Sequence, residues 1–183
     1  SLDEIKLGEK YALVISTNAG LWRYQIGDTI EFTSLNPFRF KIVGRTKHFI
    51  NVFGEELMVD NAIKAINIAC EKTGAEVNEW TAAPRLFEKE QSGIHEWVIE
   101  FEKEPTNLSY FTELMDSALK ELNSDYEAKR YKNIILGMPV VTSVPKSTFY
   151  KWLKSKGKLG GQHKVPRLNN SRQYLEDILK VAR

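Results

Sequence analysis

Residues 41–60, KIVGRTKHFINVFGEELMVD, constrain this chain more than any other stretch. They read as a short strand through Phe40 and Ile42, a tight turn at Gly44-Arg45-Thr46-Lys47, and a second strand through Phe49, Ile50, Val52 and Phe53. Gly54 breaks that strand, and a helix starts near Val59 and Asp60. Period-two apolar spacing on both sides of the turn predicts a hairpin, and the turn itself concentrates cationic side chains. Before this joint the chain is strand and turn; after it, helices and strands alternate. Two structural units are therefore expected, residues 1–44 and 45–183, with Arg45 and Lys47 at the seam.

Upstream, residues 11–16 (YALVIS) form a short apolar strand, and Thr17-Asn18-Ala19-Gly20 has turn chemistry because Asn and Gly tolerate positive φ. Residues 21–26 return as a strand containing Trp22 and Tyr24. Gly27-Asp28 makes a second turn, residues 29–33 a further strand, and Asn36-Pro37 punctuates before residues 38–44. So few strands cannot close around a core of their own. The meander is expected to belong to a larger body upstream, the abrupt first residue being a cut end.

Downstream, Val59, Ala62, Ile63, Ile66, Ala69 and Cys70 keep helical spacing, and Gly74 closes the helix. Residues 77–86 and 95–102 read as a hairpin. Pro84 marks an edge or bulge, and Trp97, Ile99 and Phe101 alternate with Glu96, Val98, Glu100 and Glu102. A helix follows from Pro105-Thr106-Asn107 to Leu122, then a short link over residues 125–132 and a buried strand over residues 133–142. Ser147 or Thr148 can cap a helix over residues 149–156, ended by Gly157. A glycine-rich basic loop reaches Lys164, and a last helix covers residues 171–181. The expected class is α+β: a β-meander, then a small lobe with a mostly antiparallel sheet and helices packed on it.

Composition narrows the function. A net charge of +2 over 183 residues gives no general attraction to nucleic acid or an anionic membrane. No stretch approaches the length of a membrane-spanning helix, and the N-terminus has no signal-peptide core. The single cysteine, Cys70, excludes a disulfide framework and points to a reducing, cytoplasmic setting. His48, His95 and His163 lack metal-ligand spacing, and no Walker loop, GxGxxG or G-x-S-x-G occurs.

Chemistry therefore falls to single polar residues. Asp28, after Gly27, can accept two hydroxyl hydrogen bonds, as a ribose diol requires, or serve only as a turn residue. Arg45 and Lys47 can meet a phosphate or a carboxylate, or stay solvated. Lys164 follows a Gly-Gly loop and precedes Val165-Pro166, which stiffens the backbone behind it. A lysine so placed can swing its charge onto a developing phosphoryl charge, or be one more basic residue of the tail.

Three segments resemble one family in the right order. ISTNAGLWRYQIGDTIEF is similar to the Y-x-G-L-x-R-Y-x-x-G-D signature of the auxin-responsive third Gretchen Hagen family of acyl-acid amido synthetases, a branch of the adenylate-forming, acyl-CoA ligase-like superfamily. FKIVGRTKHFINVFGEEL resembles that superfamily's hinge, and STFYKWLKSKGKLGGQHKVPR the family's C-terminal Gln-x-Lys-x-Pro-Arg segment. The resemblance implies the end of a large adenylation lobe, a hinge and a mobile C-terminal lobe, with the phosphate-gripping loop and acyl pocket upstream. It implies ATP, with Mg2+, as cosubstrate, and a small carboxylic acid and an amine or amino acid as partners. Asp28 corresponds to the ribose-binding carboxylate, Arg45 to the hinge arginine, and Lys164 to the lysine that reaches the α-phosphate. Arg23 and Tyr24 lie inside the signature and line the nucleotide or acyl side. The alternatives are a thioester-forming acyl-CoA ligase and a non-catalytic α+β binding module using the basic residues 146–164.

Overall fold

Strands β1 (Lys10–Ile15), β2 (Tyr24–Leu35) and β3 (Phe38–Arg45) form an antiparallel sheet in sequence order, preceded by a 3-10 turn at Leu2–Glu4. This is the first of two units, residues 1–47 and 48–183, in the computed structural model, which describes residues 2–45, 49–87, 92–157 and 164–183. Register pairs Tyr11 with Ile30, Ile30 with Ile42, and Phe32 with Phe40, so these apolar side chains share one face. Lys10, Glu31 and Lys41 share the other, where Lys41 Nζ lies 3.0 Å from Glu31. Phe32 packs edge-on against Tyr11, Phe38 and Phe40, yet Phe40 and Ile42 remain 49% and 63% exposed.

Two of these elements differ from the sequence pattern. Gly27-Asp28 is not a turn, because β2 runs straight through it. Gly27 takes φ 87 in a bulge, where Ala12 pairs with Thr29 but Val14 with Gln25. The predicted hairpin across residues 44–47 also gives way. Strand β4 (Phe49–Ile50) pairs with β5 (Leu57–Met58) instead of β3. Local side chains end β4 after two residues: Asn51 Oδ1 accepts the Glu56 N–H at 3.1 Å, and Glu55 accepts the Phe53 N–H at 2.7 Å. Val52 and Phe53 thus lie in a loop, and Lys47 lies outside the described residues.

The second unit centres on β6 (Glu76–Leu86), β7 (Gly93–Lys103) and β8 (Val140–Val144), with β6–β7 antiparallel and β7–β8 parallel. Helices α1 (Val59–Thr73) and α2 (Leu108–Leu122) cover one face, joining Ile66, Ala69, Phe111 and Met115 to Trp97, Ile99 and Phe101. Helices α4 (Thr148–Ser155) and α5 (Gln173–Ala182) cover the other, joining Phe149, Trp152, Leu175 and Ile178 to Ala83, Val98 and Val144. Gly74, at φ 68, ends α1 by donating its N–H to Cys70 O at 2.8 Å. A shorter helix, α3 (Ser124–Arg130), follows α2, and Asn123 caps it by accepting the Tyr126 N–H at 2.8 Å.

Covering both faces changes the reading of β7. Its alternation suggests one solvated face, but residues 93–101 are all buried. The predicted strand over residues 133–142 also begins only at Val140. Upstream of it, Lys132 and Asn133 take positive φ, and the Arg130 guanidinium bonds the Asn133 side chain and Leu136 O (2.9 Å for the latter). A side chain therefore satisfies a backbone acceptor that a strand would have placed in a ladder.

Candidate functional site

In the first unit the signature residues cluster at the start of β2. Thr17 N–H donates to Leu21 O at 2.9 Å, folding the chain back after β1. Arg23 takes φ 47, and its N–H donates to Ser16 Oγ at 3.0 Å. That region is sparsely populated by side-chain-bearing residues and costs about 1–3 kcal/mol unless the surroundings impose it. Tyr24 opens β2 opposite Ile15 and is half exposed. Trp22, inside the same motif, is 83% exposed.

Asp28 follows the buried Gly27 at the bulge and is itself half-buried. Its Cα partner across β2–β3 is Arg45, the last residue of β3. A register shift between β2 and β3 at Thr29/Ile30, separate from the Gly27 bulge against β1, brings the two sequence candidates, one acidic and one basic, opposite each other at one end of the sheet. Lys47 falls outside the described residues.

Lys164 belongs to the second unit and is exposed. The backbone after it is fastened to β6. Thr81 Oγ1 donates to Pro166 O at 2.6 Å, Ala82 N–H donates to Arg167 O at 2.8 Å, and Asn169 N–H donates to Ala82 O at 3.2 Å. Val165 is buried in the α4–α5 core and Leu168 in the α1–α2 core. The Arg167 guanidinium lies 4.9 Å from the Trp80 ring and 2.8 Å from Glu79. Pro166 alone suggested a stiff base; the structure adds a row of edge bonds.

Other polar groups are buried in this unit. His95 Nε2 and Glu55 Oε1, both fully buried, lie 2.8 Å apart. Burial pushes the Glu55 carboxyl up, but the His95 bond and charge, with backbone N–H donors, outweigh it and leave the group below its ordinary value. Asp116 accepts from Arg130 Nε at 2.7 Å and Tyr126 OH at 2.8 Å, and Lys120 Nζ lies 2.9 Å away. It too ends below its ordinary value despite burial. These networks tie the second unit together. Among the described residues no group of three or more His, Cys, Asp or Glu is arranged to hold a metal. A cleft of about 300 Å³ lined by Leu108, Thr112, Met138 and Pro139 contains no sequence candidate.

Comparison with known proteins accounts for most of the chain. Residues 60–173 match the GH3 family C-terminal domain, and residues 1–45 match the GH3 family central domain. The chain is 30% identical over 190 residues to indole-3-acetic acid-amido synthetase GH3.10 of Arabidopsis thaliana, covering 97% of this chain and 31% of that protein. It is 24% identical over 194 residues to the Arabidopsis thaliana 4-substituted benzoates-glutamate ligase GH3.12, covering 96% and 33%. The solved structure of the GH3.15 acyl acid amido synthetase superposes with a TM-score of 0.76 at 21% identity, covering 100% of this chain and 35% of that one, a likeness of fold. The chain spans about a third of the length of the curated relatives it matches. With both family models falling in order along one chain, and the C-terminal one taking up most of the larger unit, this protein belongs to the GH3 family.

Proposed function

We propose that the chain is the C-terminal third of an ATP-dependent acyl-acid amido synthetase. Residues 1–44 are the end of its large adenylation lobe, and residues 45–183 are its mobile C-terminal lobe. The backbone register that pairs Asp28 with Arg45 at one end of the sheet supports this reading. The Asp28 carboxylate accepts the two hydroxyls of the ATP ribose, and Arg45 faces the phosphates. Mg2+ enters as the counter-ion of the triphosphate. In the first half-reaction a carboxylate oxygen of the acid attacks the α-phosphorus and pyrophosphate leaves. In the second, an amine attacks the acyl carbon and AMP leaves. Lys164 neutralises charge that builds on the α-phosphate only in the first step, and rotation of the lobe then withdraws it. The names of the relatives support an aromatic carboxylic acid as donor and an amino acid as acceptor. One half-buried cysteine, whose thiol burial pushes up, suits a reducing cytoplasm.

The test uses the full-length enzyme. Lys164→Ala is expected to slow acid-dependent exchange of pyrophosphate into ATP about a hundred- to a thousandfold. Amide formation from supplied acyl-adenylate should stay unchanged, and Lys158→Ala should be nearly silent in both assays. Equal loss in both half-reactions would reduce Lys164 to general electrostatics. Consumption of coenzyme A in place of an amino acid would turn the assignment to a thioester-forming ligase.

A further inference from the structure

Asn170 binds two backbone positions at once. Its Oδ1 accepts the Asn51 N–H at 2.9 Å, and its Nδ2 donates to Phe49 O at 3.1 Å. A C=O and an N–H two residues apart on one strand edge are the groups a neighbouring strand would pair. The Asn170 amide supplies one donor and one acceptor and takes that strand's place. Strand β4 needs such a partner, since β5 pairs with it through only two residues. Asn170 also closes the segment that begins at Lys164. On one side residues 166–169 are bonded to Thr81 and Ala82 of β6; on the other, Asn170 reaches the first strand after the seam.

We infer that Asn170 is a positioning residue, locking the segment behind Lys164 to β4 so that rotation at the seam carries the lysine as part of a rigid arm. A free tether would spread the ammonium over many positions, and a small loss of placement is costly when positioning supplies the rate. The inference rests on the adenylation reading of Lys164.

In the full-length enzyme, Asn170→Ala should lower the rate of acid-dependent pyrophosphate exchange about tenfold, the scale of one or two lost hydrogen bonds. The KM for ATP and amide formation from supplied acyl-adenylate should not change. Hydrogen exchange at the Asn51 amide should quicken, and Asn170→Asp, which keeps the acceptor for that amide, should recover part of the rate. In a Lys164→Ala background, adding Asn170→Ala should cost nothing more. Additive losses in the double variant, with Lys164→Ala itself impaired, would overturn the role of Asn170 alone. A parallel fall in both half-reactions would make Asn170 merely structural and overturn it as well. A silent Lys164→Ala would instead overturn the adenylation reading, and the role of Asn170 with it.

Discussion

His95 and Glu55 meet in the interior of the second unit, with the Phe53 and Tyr126 rings packed at 6.2 and 5.7 Å from the imidazole. His95→Ala would leave the carboxylate buried with backbone donors alone and open a cavity between those rings. Denaturant unfolding should show a loss of about 3 kcal/mol, and a smaller loss when Glu55 is already Gln. The pH dependence has a definite sign. Because the Glu55 and Asp116 carboxyls sit below their ordinary values in the folded protein, their contribution is complete above the ordinary carboxylate range. It is lost as pH falls through the folded values. Glu55→Gln should therefore flatten the acid limb of a stability profile; an unchanged limb would show that other carboxylates govern it. None of this was legible in sequence. His95 read as a scattered histidine because its partner lies 40 positions away and only folding brings the two together.

Helix α4 shows the same limit at the scale of an element. Ser147-Thr148 announces a helix start, and a helix is there. But Ser147 takes φ 68 and makes no side-chain cap, and the acceptor comes instead from β7. Glu100 accepts the Ser147 N–H at 3.0 Å, the Phe149 N–H at 3.1 Å and Asn78 Nδ2 at 2.7 Å. A carboxylate at a helix N-terminus satisfies orphan donors and complements the helix dipole. Glu100 alternates with apolar residues and so reads as solvent-facing; its burial, to 2% exposure, is tolerable because those donors surround it. Glu100→Gln should lower stability by about 1–2 kcal/mol in thermal or denaturant unfolding, while Ser147→Ala should change it by only a few tenths. The reverse order would return the cap to Ser147.

At the scale of the molecule, the two units differ in what they bury. The 48–183 unit has cores on both faces of its sheet, whereas the 1–47 sheet leaves Phe40 and Ile42 largely in water. Residues 48–183 expressed alone should fold cooperatively, and hydrogen exchange on the whole chain should protect residues 97–101 far longer than residues 11–15. Similar protection in the two stretches would contradict this. The family was legible in three short motifs in order, and most helices in the 3.6-residue spacing of apolar positions and glycine stops such as Gly74. Also legible was the strand at Phe49 and Ile50, because alternation is a local property. Folding in three dimensions set the pairing of this strand with Leu57 and Met58, the β2–β3 shift at Thr29/Ile30 that puts Asp28 opposite Arg45, and the capping of α4 by Glu100. Periodicity reports which side of an element is apolar; pairing and capping depend on which distant groups reach a free donor or acceptor, and no spacing along the chain encodes that.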